Sequence, residues 1–210
     1  VVQPKTFENV LARDVSFETY MEYFAADFTE WVDGVVIKMS PVTEEHDALT
    51  QFFIELIRWY LSETGEGLLR VAPFVMRLRP GQPGREPDLH LILKERVSIV
   101  QRTMTDGPAD IVIEIVSPES IERDTEAKYR EYEAGGVREY WLVDPIKREA
   151  TFYSLRDGVY QPIELADGVF RSTVLPRFRL NPLLLWQNPL PTGRQIAALV
   201  DDMLKGEQDG

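Results

Sequence analysis

Glu114 stands inside Ile111-Val112-Ile113-Glu114-Ile115-Val116, an almost unbroken apolar run. A run of this kind marks a central strand covered on both faces. An ionised carboxylate in such a place is driven to pair with a cation, to bind a metal or to keep its proton. A structural ion pair with an arginine is the plainest of these outcomes. Asp88 opens an earlier apolar run, Pro87-Asp88-Leu89-His90-Leu91-Ile92. Alone, an aspartate after a proline reads as a turn residue. Beside Glu114 it reads differently, because two carboxylates at adjacent strand ends offer hard oxygen ligands suited to magnesium or manganese. Lys128 lies within Asp124-Thr125-Glu126-Ala127-Lys128-Tyr129. There an Asp124–Lys128 pair, one helical turn apart, would make a solvated face. The alternative is chemical: from the first turns of a helix following the Glu114 strand, the ammonium could stabilise negative charge added to a phosphate, or hold an attacking water.

The elements that must position these groups are legible from periodicity. Residues 1–15 read as an N-terminal arm. Phe17, Tyr20, Met21 and Phe24 recur at helical spacing over Ser16–Ala25. Glu30-Trp31-Val32 and Val35 to Met39 flank Asp33-Gly34, which predicts a hairpin with a primed turn. After Ser40-Pro41, Thr43 is a candidate cap for a helix running to about Ser62, with Leu49, Phe53, Leu56 and Tyr60 on its apolar face. His46 falls on that buried side in the first turn. Strands are expected over Val71–Leu78, Pro87–Leu93 and Asp110–Val116, with a turn at 79–84 and a connector over 94–109. Ser117-Pro118-Glu119-Ser120 leads to a helix over Asp124–Ala134, closed by Gly135-Gly136. A strand over Glu139–Val143, a hairpin over 150–163, a Pro-rich wrapping segment and a helix over 193–204 complete the chain. Tyr129, Tyr132, Tyr140 and Trp141 read as core residues.

This order predicts one domain over 1–210 of the α/β class: an α+β mixed sheet with helices packed on it, and a tail from 205 onward that frays. A 44% hydrophobic content supplies a full core. There is no apolar run long enough to span a bilayer, and Val1-Val2-Gln3-Pro4-Lys5 lacks an export pattern. The chain has no cysteine, which excludes disulfides, thiol catalysis and cysteine-held zinc, and fits a reducing, cytoplasmic compartment. No phosphate-cradling glycine loop or dinucleotide fingerprint is present. The net charge of −12 argues against a broad basic footprint for nucleic acid, though it leaves room for a local one.

Several motifs, taken together, resemble one known group. Asp88 followed by Glu114 resembles the PD-(D/E)xK nuclease signature of the restriction-endonuclease-like superfamily. Glu30-Trp31-Val32-Asp33-Gly34, the segment from Ser40-Pro41 to His46, Pro87-Asp88-Leu89, Ile113 to Pro118, Asp124 to Lys128, then Tyr132, and Ala134 to Pro145 are similar, in that order, to the Uma-two family. The resemblance spans roughly residues 15–185 and is most specific over 111–145. It implies a restriction-endonuclease-like core with an N-terminal helix-hairpin and a C-terminal hairpin extension. It implies a divalent-metal endonuclease acting on nucleic acid, DNA first, with magnesium or manganese held by Asp88, Glu114 and the carbonyl of Ile115. The usual lysine position, two after the glutamate, is Val116 here, and Lys128 matches the helical replacement. Glu30 is implied as a further acid near the metal, and His46 as a proton shuttle or supporting donor. After Asp33-Gly34 the family commonly carries another acid where this chain has Val35.

Three functions compete. The first is the metal-dependent nuclease, expected as a homodimer with the N-terminal arm and the Pro-rich segment as candidate contacts. The second is a catalytically silent binding or assembly protein that keeps the fold, which the acidity favours. The third, a hydrolase using the two carboxylates as general acid and base, leaves Lys128 without a role.

Overall fold

A computed structural model describes residues 9–25, 27, 29–39, 41–79, 84–117 and 123–205, with the side chains of 123–125 outside that description. Expectations for residues 1–8, Ser40, the turn at 80–83, Pro118-Glu119-Ser120, the Asp124 side chain and the tail beyond 205 therefore lie outside the described residues.

The first unit is β1 (Val10–Ala12), α1 (Phe17–Tyr23), β2 (Thr29–Val32) and β3 (Val35–Lys38). Ser16 caps α1 by accepting the Thr19 N–H at 3.1 Å. Asp33 (φ 49°) and Gly34 (φ 84°) both take positive φ, as the primed hairpin turn requires. The arm expected over 1–15 is corrected in part: Val10–Ala12 is a strand that covers the open edge of β3. Phe17 and Tyr20 of α1 pack with Trp31, Val36 and Val75.

The second helix, α2 (Glu44–Thr64), starts at Thr43, whose hydroxyl accepts the His46 N–H at 3.2 Å, and stops at Gly65 in the left-handed region. There follow β4 (Gly67–Val71), β5 (Val75–Arg77), β6 (Gly84–Arg85), β7 (Leu89–Leu93), β8 (Met104–Asp106) and β9 (Ile111–Ile115). The single strand expected over Val71–Leu78 is two strands of different sheets, because Pro73 has no N–H to continue a ladder. The 94–109 connector also carries structure: a 3-10 helix over Lys94–Ile99, then β8 running parallel to β5. A three-residue strand is too short to leave a period in sequence. His90 of β7 and Thr105 of β8 share a hydrogen bond of 2.9 Å, and burial pushes the imidazole down to about 3, with the Arg70 charge adding to it.

A π-helical turn over Arg123–Lys128 runs into α3 (Tyr129–Gly135), which Gly136 ends at φ 89°. The rest is β10 (Glu139–Asp144), β11 (Glu149–Arg156), β12 (Val159–Pro162), β13 (Phe170–Arg171), β14 (Arg179–Leu180) and α4 (Arg194–Lys205). No helix among the described residues is long and apolar enough to cross a membrane.

The main sheet has the order β12-β11-β10-β9-β7-β4. Only β9 and β10 are parallel within it, so the sheet is mixed, as the element order predicts. Ile111, Ile113 and Ile115 point into the large core with Phe53, Leu56 and Tyr60 of α2 and Ile196 of α4. Val112 points the other way, into a cluster with Tyr132, Val137 and Tyr140. The period of two along β9 thus sends Glu114 to the α3 side of the sheet.

Besides the packing of Phe170 and Phe178 on Trp141, a buried carboxylate ties the C-terminal segment to this sheet. Glu139 accepts from Trp141 Nε1 at 2.9 Å, Ser172 Oγ at 2.9 Å, Thr173 Oγ1 at 2.7 Å and the Val174 N–H at 3.1 Å. Removing it leaves several buried donors without an acceptor. Glu139→Ala is expected to lower unfolding stability by roughly 3 kcal/mol in a urea titration. A loss well under 1 kcal/mol would show that water replaces the carboxylate. Gly34→Ala, which forces a Cβ into the left-handed region, is expected to cost about 1 kcal/mol by the same measurement.

Candidate active site

Glu114 is 1% exposed. Lys128 Nζ donates to its Oε2 at 2.9 Å, and the Tyr132 hydroxyl donates to its Oε1 at 2.7 Å. Lys128 and Tyr132 are four residues apart on a helical stretch, so they share the face that looks at β9. Their contacts offset the desolvation of the carboxylate. Burial and the Glu114 charge raise the Tyr132 pKa well above its ordinary value, so the hydroxyl stays protonated and stays a donor.

Asp88 immediately precedes β7. Because β7 runs antiparallel to β9 with Leu89 opposite Ile113, Asp88 falls beside the last residues of β9. Its Oδ2 accepts the Ile115 N–H at 2.7 Å and lies 3.2 Å from His46 Nε2. The Asp88 side chain is 20% exposed, so this carboxylate reaches solvent where Glu114 does not. His46 comes from the first turn of α2, and its Nδ1 is 3.4 Å from Thr50 Oγ1. The site therefore straddles one end of the sheet, with α2 supplying His46 from one face and the helical stretch that runs from the π-helical turn into α3 supplying Lys128 and Tyr132 from the other.

Glu30 sits on β2 and pairs with Arg85 of β6, Nη1 to Oε1 at 3.1 Å. Arg85 also forks onto Glu131 of α3, with Nε and Nη2 each donating at 2.6 Å. Glu30 thus meets the site through a guanidinium, while two sets of contacts, His46–Asp88–Ile115 N–H and Lys128–Glu114, are joined by the peptide bond between Glu114 and Ile115.

Sequence reasoning missed Arg85, Glu86 and Glu131, and read Tyr132 as a core residue within the family-like block without a role at the site. Glu86 bonds with the Tyr20 hydroxyl, which also donates to the Thr29 carbonyl at 2.9 Å. Burial pushes the Glu86 carboxyl up to about 8; the Tyr20 hydroxyl and the Lys128 charge pull it down, and Glu30 pushes it further up. Those influences put Glu86 in the same electrostatic cluster. A signal existed for two of these residues. Arg85-Glu86 directly precedes Pro87-Asp88, and Tyr132 is one helical turn beyond Lys128. Nothing in the sequence marks Glu131 apart from its charged neighbours.

Among the described residues, no three His, Asp or Glu side chains converge closely enough to hold an ion by themselves. A metal here would take the two carboxylates, Asp88 and Glu114, together with backbone or water oxygens. Magnesium is commonly bound in that way, through one or two carboxylates and several waters. The donors are all hard oxygens; among the described residues Glu114 is paired with Lys128, and Glu30 and Glu131 with Arg85. The donor chemistry therefore fits a hard divalent ion.

None of the curated proteins matches the chain. Among solved structures, it is similar to a "putative nuclease belonging to DUF820" from Anabaena variabilis ATCC 29413, at a TM-score of 0.61 and 15% identity, over 75% of this chain and 89% of that one. At that identity the likeness establishes a shared fold. The family model described as "Putative restriction endonuclease" matches residues 17–182, a span that holds every group just described. The chain is a member of that family, Uma2.

Proposed function

We propose that the protein is a divalent-metal-dependent endonuclease that hydrolyses phosphodiester bonds, with DNA as the first substrate to test. One observation carries the proposal: the Asp88 carboxylate is bonded to the residue after Glu114, and the Lys128 ammonium lies 2.9 Å from Glu114 itself. Membership of the Uma2 family supports it.

Asp88 and Glu114, with the Ile115 carbonyl as a third donor, would hold magnesium or manganese. When bound, the ion supplies Lewis acidity at the phosphodiester and lowers the pKa of the attacking water. The chain's own groups do the rest. Lys128 neutralises charge that builds on the phosphoryl oxygens. Tyr132 keeps the Glu114 carboxylate in one orientation by donating to Oε1. His46, at 3.2 Å from Asp88, orients that carboxylate and can pass a proton to the leaving oxygen. Glu30 contributes charge through Arg85 rather than as a ligand.

The test is cleavage of supercoiled plasmid, single-stranded DNA and RNA with manganese at low salt. Asp88→Ala and Glu114→Ala are expected to bring cleavage to background, and Lys128→Ala to slow it by about a hundredfold or more. Calorimetry with manganese is expected to give binding that Asp88→Ala abolishes. Intact substrates throughout, together with no heat of metal binding, would sink the proposal. One observation favours a second reading, a silent binding or assembly protein: a net charge of −12 opposes approach to a polyanion. That reading expects Glu114→Gln to behave as wild type in both assays.

A further inference from the structure

The buried guanidinium of Arg85 is neither a ligand nor a proton donor in the chemistry above, yet it joins three elements. Its side chain is 0% exposed. It belongs to β6, forks onto Glu131 of α3 with two bonds of 2.6 Å, and reaches Glu30 of β2 at 3.1 Å. Burial opposes the charge, but Glu30 and Glu131 more than offset that cost and raise the pKa above the ordinary value.

Helix α3 needs such an anchor. It is seven residues long and enters from a π-helical turn. A helix this short is not stable alone, so its position and rotation come from tertiary contacts. The C-terminal half has its own. Glu133 accepts the Tyr160 N–H at 2.7 Å, and the Arg79 guanidinium donates to the Ala134 carbonyl. The stretch from Lys128 to Tyr132, which runs from the π-helical turn into α3, packs through Tyr129 and Tyr132 against Tyr140 and is gripped by charge at Glu131, which lies between Lys128 and Tyr132 in sequence. A planar fork fixes both the position and the rotation of its carboxylate partner, which a point-like ammonium does not. Arg85 is also three residues from Asp88, on the segment that delivers that carboxylate to the site.

We infer that Arg85 is a positioning residue: by clamping Glu131 against Glu30, it sets where Lys128 and Tyr132 stand over Glu114, and does so in register with Asp88. The inference rests on the nuclease reading only in naming what the positioned lysine is for.

The experiment follows Lys128 directly. The Lys128 side chain is 5% exposed and that of Lys147 is 58% exposed. Reductive methylation with formaldehyde and a borane reductant, read by peptide mass spectrometry, gives the ratio of the two labelling rates. Glu131→Gln, at a side chain already 24% exposed, keeps the shape and loses the charged fork. It is expected to raise the Lys128-to-Lys147 ratio about tenfold, as loss of a charge-assisted local contact would. Arg85→Lys is expected to do the same; if it fails to fold, Glu131→Gln decides alone. Glu139→Gln, at the far clamp of the C-terminal segment, serves as the control for general loosening and is expected to leave the ratio unchanged. In plasmid cleavage, Glu131→Gln is expected to lower the maximal rate while manganese affinity in calorimetry stays at the wild-type value. An unchanged ratio in Glu131→Gln, or an equal rise in Glu139→Gln, overturns the inference. If the ratio rises as expected but the wild type cuts nothing, the positioning role stands and the nuclease reading falls.

Discussion

An ionised carboxylate in the middle of a covered strand has to be compensated from close range, and Glu114 is such a group. Its neighbours on β9 point alternately into two hydrophobic layers, so the carboxylate is delivered into the layer beneath α3, away from water. The helix that packs there must bring a cation and a hydroxyl, and it brings Lys128 and Tyr132. Because removing one partner of a buried pair costs far more than the pair gains over apolar residues, the arrangement is held together by the penalty for disrupting it.

That constraint spreads outward. To hold two polar groups on Glu114, α3 must itself be held, and the fork from Arg85 to Glu131 does so. Arg85 in turn brings a second buried acid, Glu30, and with it the whole N-terminal hairpin, whose other face packs Phe17, Tyr20 and Trp31 together. Asp88 completes the chain of contacts by bonding to the backbone one residue past Glu114. The hairpin, β6, β9 and α3 are thus coupled through charges, while α2 meets the main sheet through hydrocarbon and, at its first turn, through His46 on Asp88.

The overall acidity of the chain coexists, among the described residues, with cations near the site that are paired with carboxylates. Lys128 is spent on Glu114, Arg85 on two carboxylates, and Lys147 at the neighbouring end of β10 lies 3.2 Å from Asp144. A polyanionic ligand therefore competes with Glu114 for the Lys128 ammonium, and its affinity there depends on local charge rather than on a steering field.

Local chemistry, written in single residues, was enough to specify much of the fold. Asp33-Gly34 specifies its turn because glycine tolerates positive φ. Thr43 and Gly65 bound α2 through a cap and a left-handed stop, and the apolar run around Glu114 announces a two-sided strand. The apolar run drew attention to Glu114, and the resemblance to a known family, rather than spacing, raised Asp88 and Lys128 beside it as candidates. Other features depended on contacts between distant segments. Pro73 divides a stretch whose alternation reads as one strand, and β1 and β8 form only because an edge waits for them. Glu131 looks like any surface acid until the fold sets Arg85 against it, 46 residues away in sequence. Periodicity records which face of an element is buried; which charge meets which across that buried space is decided only when the layers close.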